Sequence, residues 1–436
     1  MTKDEVIRKH KQYLFPSISN YYADPLVTDH ASMQHVWDIE GKKYLDFFGG
    51  IVTISVGHAN PRVTSKIKAQ IDKIQHASTL FPNEAIVALA EKIAQITPGE
   101  IAQSFFTNSG TEANETAVQL ARVHTGSYEV VALRHGYSGR SELAQSLTGH
   151  SPWRKSLPGA HGVVHAMNPY CYRCPFGSTP STCGIECAKD VEAVIQTTTS
   201  GQIAAYIAEP IQGVGGFITP PKEYFKIVFN IVKQYGGLFI SDEVQTGWGR
   251  TGKKWFGIEH WEVLPDMMTA AKGMANGMPV GATMTRPEIA ASFKGLQIST
   301  FGGNPVVSVA AKATIDLIEE DRLMDNADVV GGYFRQGLES LKDKHDLIGD
   351  VRGMGLMQAL ELVKDRRTKE PAPQETVQFM EECRRVGLLV GKGGLFNNVI
   401  RMSPPMNIAK SDVDEAIRKM DEAFTAVRRP AAAMAR

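Results

Sequence analysis

The chain has 436 residues, of which 43% are hydrophobic and 22% charged, with 47 basic residues against 47 acidic ones. That length and composition fit an ordinary globular protein of two or three domains. The balanced charge excludes a global field that draws in nucleic acid or an anionic membrane, and no apolar run reaches the roughly 18 residues of a spanning helix.

The opening Met1-Thr2-Lys3-Asp4-Glu5 has acids and no apolar signal core, so the expected compartment is the cytoplasm. Val36-Trp37-Asp38 and Lys43-Tyr44-Leu45-Asp46-Phe47 flank Glu40-Gly41, which predicts a short β-hairpin. It belongs to an N-terminal segment, 1–60, expected to pack with a smaller domain. A large domain over 61–305 follows. Its spacing predicts a helix over 112–123, buried strands at 130–133, 204–208 and 238–240, and a helix over 222–235. Alternation of this kind predicts a mostly parallel sheet covered by helices on both faces. Ligands of such sheets bind at the carboxyl ends of the strands, where Glu209 and Asp242 stand. From Asn304-Pro305 the pattern changes: a helix over 306–319, an apolar run at 351–356, a helix near 375–385, a strand at 388–390 and a helix from Lys410. These make a small C-terminal α+β domain, 306–428, with a frayed tail at 429–436.

Several short motifs carry chemistry. Met267-Met268-Thr269-Ala270-Ala271-Lys272-Gly273 ends an apolar run on a lysine. A partly desolvated lysine loses its proton readily and forms a Schiff base with a carbonyl. Leu238-Phe239-Ile240-Ser241-Asp242 ends a second run on an acid that would hold a pyridinium nitrogen protonated. Asn108-Ser109-Gly110-Thr111-Glu112 reads either as a capped helix start or as a phosphate cup built on a helix N-terminus. His135-Gly136-Tyr137-Ser138-Gly139-Arg140 sets a tyrosine on a turn where it can stack on a flat ring. Its neighbour Arg140, like Arg401 in Val399-Ile400-Arg401-Met402, reads as a surface cation or as a carboxylate grip. Gly247-Trp248-Gly249-Arg250-Thr251-Gly252-Lys253-Lys254 approaches a P-loop but lacks its Ser/Thr, and Gly213-Val214-Gly215-Gly216-Phe217 lacks the third dinucleotide-loop glycine; both nucleotide readings are rejected. Cys171, Cys174, Cys183 and Cys187 are spaced as two close pairs, a candidate structural zinc or iron–sulfur centre against a reduced surface loop.

Together these motifs resemble the class III pyridoxal-phosphate (PLP) aminotransferases, from about Trp37 to Pro405. Gly50-Ile51-Val52-Thr53-Ile54-Ser55-Val56-Gly57-His58, Ala208-Glu209-Pro210-Ile211-Gln212-Gly213-Val214, Asp242-Glu243-Val244-Gln245-Thr246-Gly247 and Thr300-Phe301-Gly302-Gly303-Asn304-Pro305 look most like the alanine–glyoxylate and β-amino-acid–pyruvate branch. The resemblance implies fold type I, an α/β large domain with a seven-stranded, mostly parallel sheet plus a smaller α+β domain. It implies that Lys272 binds the cofactor and shuttles a proton, and that Asp242 pairs with its ring nitrogen. Tyr137 and Val244 would cover the ring faces beside Gly136. Gln245 would bond the phenolic oxygen, and Ser109, Gly110 and Thr111 would hold the phosphate. Thr300 would reach it from a second subunit, making a homodimer or a tetramer. Arg401 would bind the substrate carboxylate, Arg140 a distal carboxylate, and Ile51 would line the pocket. The family's 4-aminobutyrate and ornithine branches carry a glutamate where this chain has Val214, and a histidine is common where it has Ser138. Without that glutamate, acceptors such as pyruvate or glyoxylate are expected, with alanine, β-alanine or 4-aminobutyrate as donors. A racemase, lyase or decarboxylase on the same fold is the alternative, and a non-catalytic metal-binding scaffold a further one.

Overall fold

The structure is a computed structural model, and it describes residues 1–18, 20–155, 159–179 and 181–427. The expected tail over 429–436 lies outside the described residues. Seven strands form the central sheet, in the order Gln103–Thr107, Gly281–Thr285, Met267–Ala270, Leu238–Asp242, Ala205–Ala208, Val130–Leu133 and Val163–Ala166. Only Gly281–Thr285 runs against its neighbours; the remaining pairings are parallel. The inner strands are buried along their whole length, as expected of a parallel sheet covered on both faces. Helices Gly110–Thr125, Glu186–Thr198 and Tyr224–Gln234 supply part of that cover.

The expected hairpin is present as His35–Asp38 and Lys43–Asp46, with Thr28–Ser32 added on its outer edge. Leu388–Leu389 closes this small sheet, pairing parallel with Leu45 and Asp46. A third sheet joins Ile348–Met354, Met357–Asp365, Val399–Met402 and Gly391–Gly393, all antiparallel. Helices Leu323–Lys344 and Pro373–Arg385 pack beside it, and Lys410–Val427 packs on those two helices and on Leu388–Leu389. Helix Pro305–Glu320 instead packs on Pro61–Lys73 and Glu84–Ile96. Among the described residues no helix is long and apolar enough to cross a membrane.

Two buried polar knots tie the layers together. Arg250, from the rejected P-loop stretch, donates to the carbonyls of Ile54, Leu356 and Pro404. Glu361 accepts from Tyr170, Arg173 and Arg352, the last at 2.7 Å. Burial alone would raise the Glu361 carboxyl; Arg352, then Tyr170 and Arg173, outweigh it and hold the group below its ordinary value. A carboxyl depressed in the fold contributes stability that is present above its unfolded pKa and lost as pH falls through the folded one. Glu361→Ala takes an acid from the buried Arg352, which keeps only Asp350, and from the partly buried Arg173. We expect it to cost about 3–5 kcal/mol, read as a lower midpoint in urea unfolding at neutral pH.

Candidate active site

The strand ends build the site. Leu238–Asp242 delivers Asp242 to the carboxyl edge of the sheet, 2% exposed. Asp242 Oδ2 accepts from Asn114 Nδ2 at 2.8 Å, and Oδ1 from Val244 N at 3.1 Å. Asn114 lies on helix Gly110–Thr125 and also donates to Ser138 O at 3.0 Å, so one amide joins the helix, the acid and the Tyr137 turn. Burial raises the Asp242 carboxyl; the hydrogen bonds from Asn114 and Val244 and the charge of Lys272 oppose it.

Lys272 follows the next strand, Met267–Ala270, and opens the 3₁₀ turn Lys272–Ala275 at φ 45°. A non-glycine residue in the left-handed region costs about 1–3 kcal/mol, and such strain clusters at functional sites. Burial pushes the Lys272 amine down to about 8; Glu209 and Asp242 draw it up, and Arg401 adds to the fall. The turn is held by the N-terminal segment, because Asn276 Oδ1 accepts from Ser55 N and Val56 N at 2.9 and 3.0 Å, and Ser55 Oγ donates to Gly273 O.

Glu209, at the end of Ala205–Ala208, accepts from Tyr137 N at 3.0 Å and from Gly213 N at 2.8 Å. Burial, then the Asp242 charge, push it up to about 7. The sequence placed Glu209 at a strand end without giving it a role, and gave none to Asn114. Its only local signal was a polar residue on the buried face of a helix.

A pocket of about 150 Å³ brings these groups together, lined among others by Gly110, Thr111, Tyr137, Val244, Gln245 and Lys272. Of the two readings of the 108–112 motif, the capped helix start is the one the structure shows. Ser109 Oγ caps the helix by accepting from Glu112 N at 3.3 Å, and the same helix start lines the pocket. The missing side chain of Gly110 matters, since a Cβ there would stand 2.9 Å from Val244 Cγ2. Gly136 N donates to Leu133 O, shaping the Tyr137 turn. Gln245 is buried with its Oε1 unpartnered.

Arg401 is 4% exposed and lies across the rings of Phe48 and Phe217. Its Nε donates to Lys392 O and its Nη1 to Gly213 O, both at 3.1 Å. Among the described residues no carboxylate pairs with it. Arg140, Ile51 and Thr300 are exposed and do not line the pocket.

The four-cysteine metal centre is corrected. Among the described residues no group of three or more His, Cys, Asp or Glu side chains could hold a metal ion. Cys171 is exposed on the turn Cys171–Arg173, and Cys174 and Cys183 are partly exposed. Cys183 Sγ is engaged locally, accepting from Ile185 N and facing Glu186. Cys187 is buried in the first turn of Glu186–Thr198, where burial pushes its thiol up to about 12. Metal ligation needs thiolates; the four thiols lie near enough to oppose one another's ionisation, yet they do not close into a ligand group.

The sequence profile described as aminotransferase class-III matches residues 18–424. The chain belongs to the class III aminotransferases. It is an aminotransferase of the PLP-dependent kind, on a fold type I α/β scaffold. It is 43% identical over 419 residues to alanine–glyoxylate aminotransferase 2 homolog 2, mitochondrial, of Arabidopsis thaliana, covering 96% of this chain and 87% of that one. It is 39% identical to the leucine/methionine racemase of Thermococcus litoralis, covering 98% and 96%. An amine transaminase from an uncultivated Pseudomonas species, solved in its PLP-bound form, superposes with a TM-score of 0.89 at 30% identity, covering 95% and 99%.

The residues present suit that cofactor. An acid, a lysine with a lowered pKa, a helix start and an orphaned buried amide oxygen face one pocket. In the reverse amide orientation, that Gln245 atom is a donor.

Proposed function

We propose that this aminotransferase moves the amino group of a small carboxylate-bearing amine, of the alanine, β-alanine and 4-aminobutyrate class, to a 2-oxo acid such as pyruvate or glyoxylate. The observation that carries the reading is Arg401, a buried guanidinium with no carboxylate partner among the described residues. A buried charge without a partner is costly, and a substrate carboxylate is the natural counter-ion. Its nearest acid, Glu209, is held by two backbone N–H groups and shifted towards the neutral form. At position 214 a valine stands where an acid could mask the arginine.

When bound, PLP supplies an aldehyde carbon for the amine and a ring that accepts charge left by a departing proton. Asp242 holds the proton on the ring nitrogen. Lys272 Nζ, its pKa lowered by burial towards neutrality, would hold the cofactor and move the proton of the substrate Cα. Tyr137 and Val244 would cover the ring, Gln245 would donate to the phenolic oxygen, and Ser109, Gly110 and Thr111 would receive the phosphate. Arg140 takes a distal carboxylate, and Ile51 shapes the entrance.

The active unit is a homodimer in which Thr300 of a second copy completes the phosphate site. Support comes from the exposed apolar groups around it, with Leu296 89% exposed and Ile298, Phe301, Leu80 and Phe81 more than half exposed. Exposed large apolar side chains in such number suit an interface. Sedimentation of the holoenzyme tests the dimer, and a monomer at micromolar concentration would refute it. The proposed compartment is the cytoplasm, which suits five unpaired cysteines.

The direct test incubates holoenzyme with L-alanine and glyoxylate and follows pyruvate and glycine in equal amounts. β-Alanine and 4-aminobutyrate are then substituted as donors. The similarity to a racemase favours a second reading, in which D-alanine appears and pyruvate does not. Arg401→Met should raise the KM for alanine roughly a hundredfold while the bound-cofactor absorbance persists. A KM within threefold of the parent would remove Arg401 from the substrate site.

A further inference from the structure

Four successive residues, Gly49, Gly50, Ile51 and Val52, hold φ between 57° and 66°. Left-handed backbone is ordinarily visited one residue at a time, and for β-branched Ile51 and Val52 it is a true outlier. Strain of this kind persists only where the surroundings dictate it, and it gathers at functional sites.

Asp46, 4% exposed at the end of strand Lys43–Asp46, is the main constraint. Its Oδ1 accepts from Phe48 N and Gly49 N, both at 2.9 Å, and its Oδ2 from His58 Nε2 at 2.8 Å. His58 is fixed in turn, because its N–H and C=O both pair with the backbone of Met33 at 2.8 Å. One carboxylate therefore ties the two ends of the segment 46–58. Ser403 braces the same turn, its N donating to Phe47 O at 2.7 Å and its Oγ to Phe48 O at 2.9 Å. A Cβ on Gly49 would stand 2.4 Å from Ser403 O, so this crossing requires glycine.

The clamped turn presents Phe48 to Arg401. The guanidinium carbon lies 5.5 Å from the centre of the Phe48 ring. That ring also packs on Gly391, the strand partner of Arg401, where a Cβ would meet Phe48 Cε2 at 2.0 Å. The Arg401 Nε–H and one Nη1–H are held by the carbonyls of Lys392 and Gly213. The edge between Nη1 and Nη2 remains to take both oxygens of a carboxylate. The ring packed on the guanidinium helps set the direction of that edge. Asp46 does not line the Lys272 pocket, so any influence on the site passes through the turn.

We propose that Asp46 is a positioning residue for the substrate carboxylate: by clamping the left-handed turn it sets Phe48, and with it the open edge of Arg401. The inference rests on the reading of Arg401 as the carboxylate site. It makes a buried acid govern how tightly a carboxylate is held without meeting it.

The test uses purified holoenzyme, with propionate as a carboxylate that cannot react. Small misplacements made away from the reacting atoms can cost about a hundredfold. In Asp46→Ala, the propionate inhibition constant and the KM for L-alanine should each rise at least tenfold. Asn276 holds Ser55 and Val56 by bonds of its own, so kcat should change less than threefold and the bound-cofactor absorbance should persist. Asp46→Asn keeps an oxygen for the two N–H groups and turns its own N–H₂ to His58, whose ring can accept in its other tautomer. It should stay within threefold of the parent. Phe48→Leu should reproduce the rise, and adding Asp46→Ala to it should change propionate binding less than twofold, because the two act as one unit. A merely structural acid predicts a lower melting temperature for Asp46→Ala while the folded enzyme binds propionate within twofold of the parent. That result overturns the proposal, as do additive effects in the double variant. Should Asp46→Ala fail to yield holoenzyme, Asp46→Ser, whose one hydroxyl cannot serve the turn and His58 together, is read by the same criteria. Propionate that fails to compete with alanine in the parent enzyme would instead overturn the Arg401 reading, and this inference with it.

Discussion

Lys272→Ala should lower kcat/KM for alanine by about ten-thousandfold or more, with the melting temperature of the apoenzyme changed by only a few degrees. The lysine Nζ is an amine placed at the strand end near Asp242 and Glu209, and it joins covalent capture to proton transfer. Positioned proton transfer alone contributes about 10²- to 10⁴-fold, and covalent attachment adds to it. The strain at φ 45° persists only because Asn276 and Ser55 lock the turn from outside. Substituting the side chain leaves those bonds in place. The decisive measurement is single-turnover formation of pyruvate, with added methylamine as a replacement base. A variant within a hundredfold of the parent would mean that another group moves the proton.

Asp242→Asn should lower kcat/KM roughly a hundred- to a thousandfold, the scale for losing one preorganised electrostatic partner in a closed site. It should also cost stability. Asp242 accepts from Asn114 Nδ2 and Val244 N on separate oxygens. An asparagine offers one acceptor and sets its own N–H₂ against the other donor. A buried donor without a partner costs about 1–3 kcal/mol. Asn114→Asp alongside it could restore the pairing without restoring the rate. Recovery of activity in that double variant would show that the charge at residue 242 matters less than its hydrogen bonds.

The core of the site was readable because its signals are local. An apolar run that ends on Asp242 or Lys272 says both where a buried strand stops and which side chain it presents. Ser109, Gly110 and Glu112 announce a helix start by their capping chemistry. Other parts hid for physical reasons. Gly281–Thr285 is fully buried, yet four of its five residues are other than large apolar ones. Its Thr283 and Thr285 are satisfied by the carbonyls of Ala113 and Asp266, so no apolar alternation marks it. Helix Leu323–Lys344 contains Gly331, where a Cβ would meet the backbone of Gly355 at 2.3 Å. A glycine required by a close crossing looks, in sequence, like a helix breaker. Thr28–Ser32 is an almost wholly exposed edge strand with no hydrophobic face to betray it. The spacing of the cysteines brings the thiols into one neighbourhood, but nearness alone does not aim them at a common centre. Arg401 was ambiguous until the third sheet placed it against Gly213, far away in sequence.

The pairing of Leu388 with Leu45 has a consequence for how the protein is made. During synthesis the first fifty or so residues leave the ribosome long before their last sheet partner is translated. Until then the edge of Lys43–Asp46 offers unpaired backbone groups, a template for illicit pairing between nascent chains. The same early segment also supplies Ser55 and Val56 to the Lys272 turn. A polypeptide released before residue 388 would therefore lack both a finished amino-terminal sheet and a protected edge. Premature termination late in the message should yield aggregates in the cell, not a shorter enzyme.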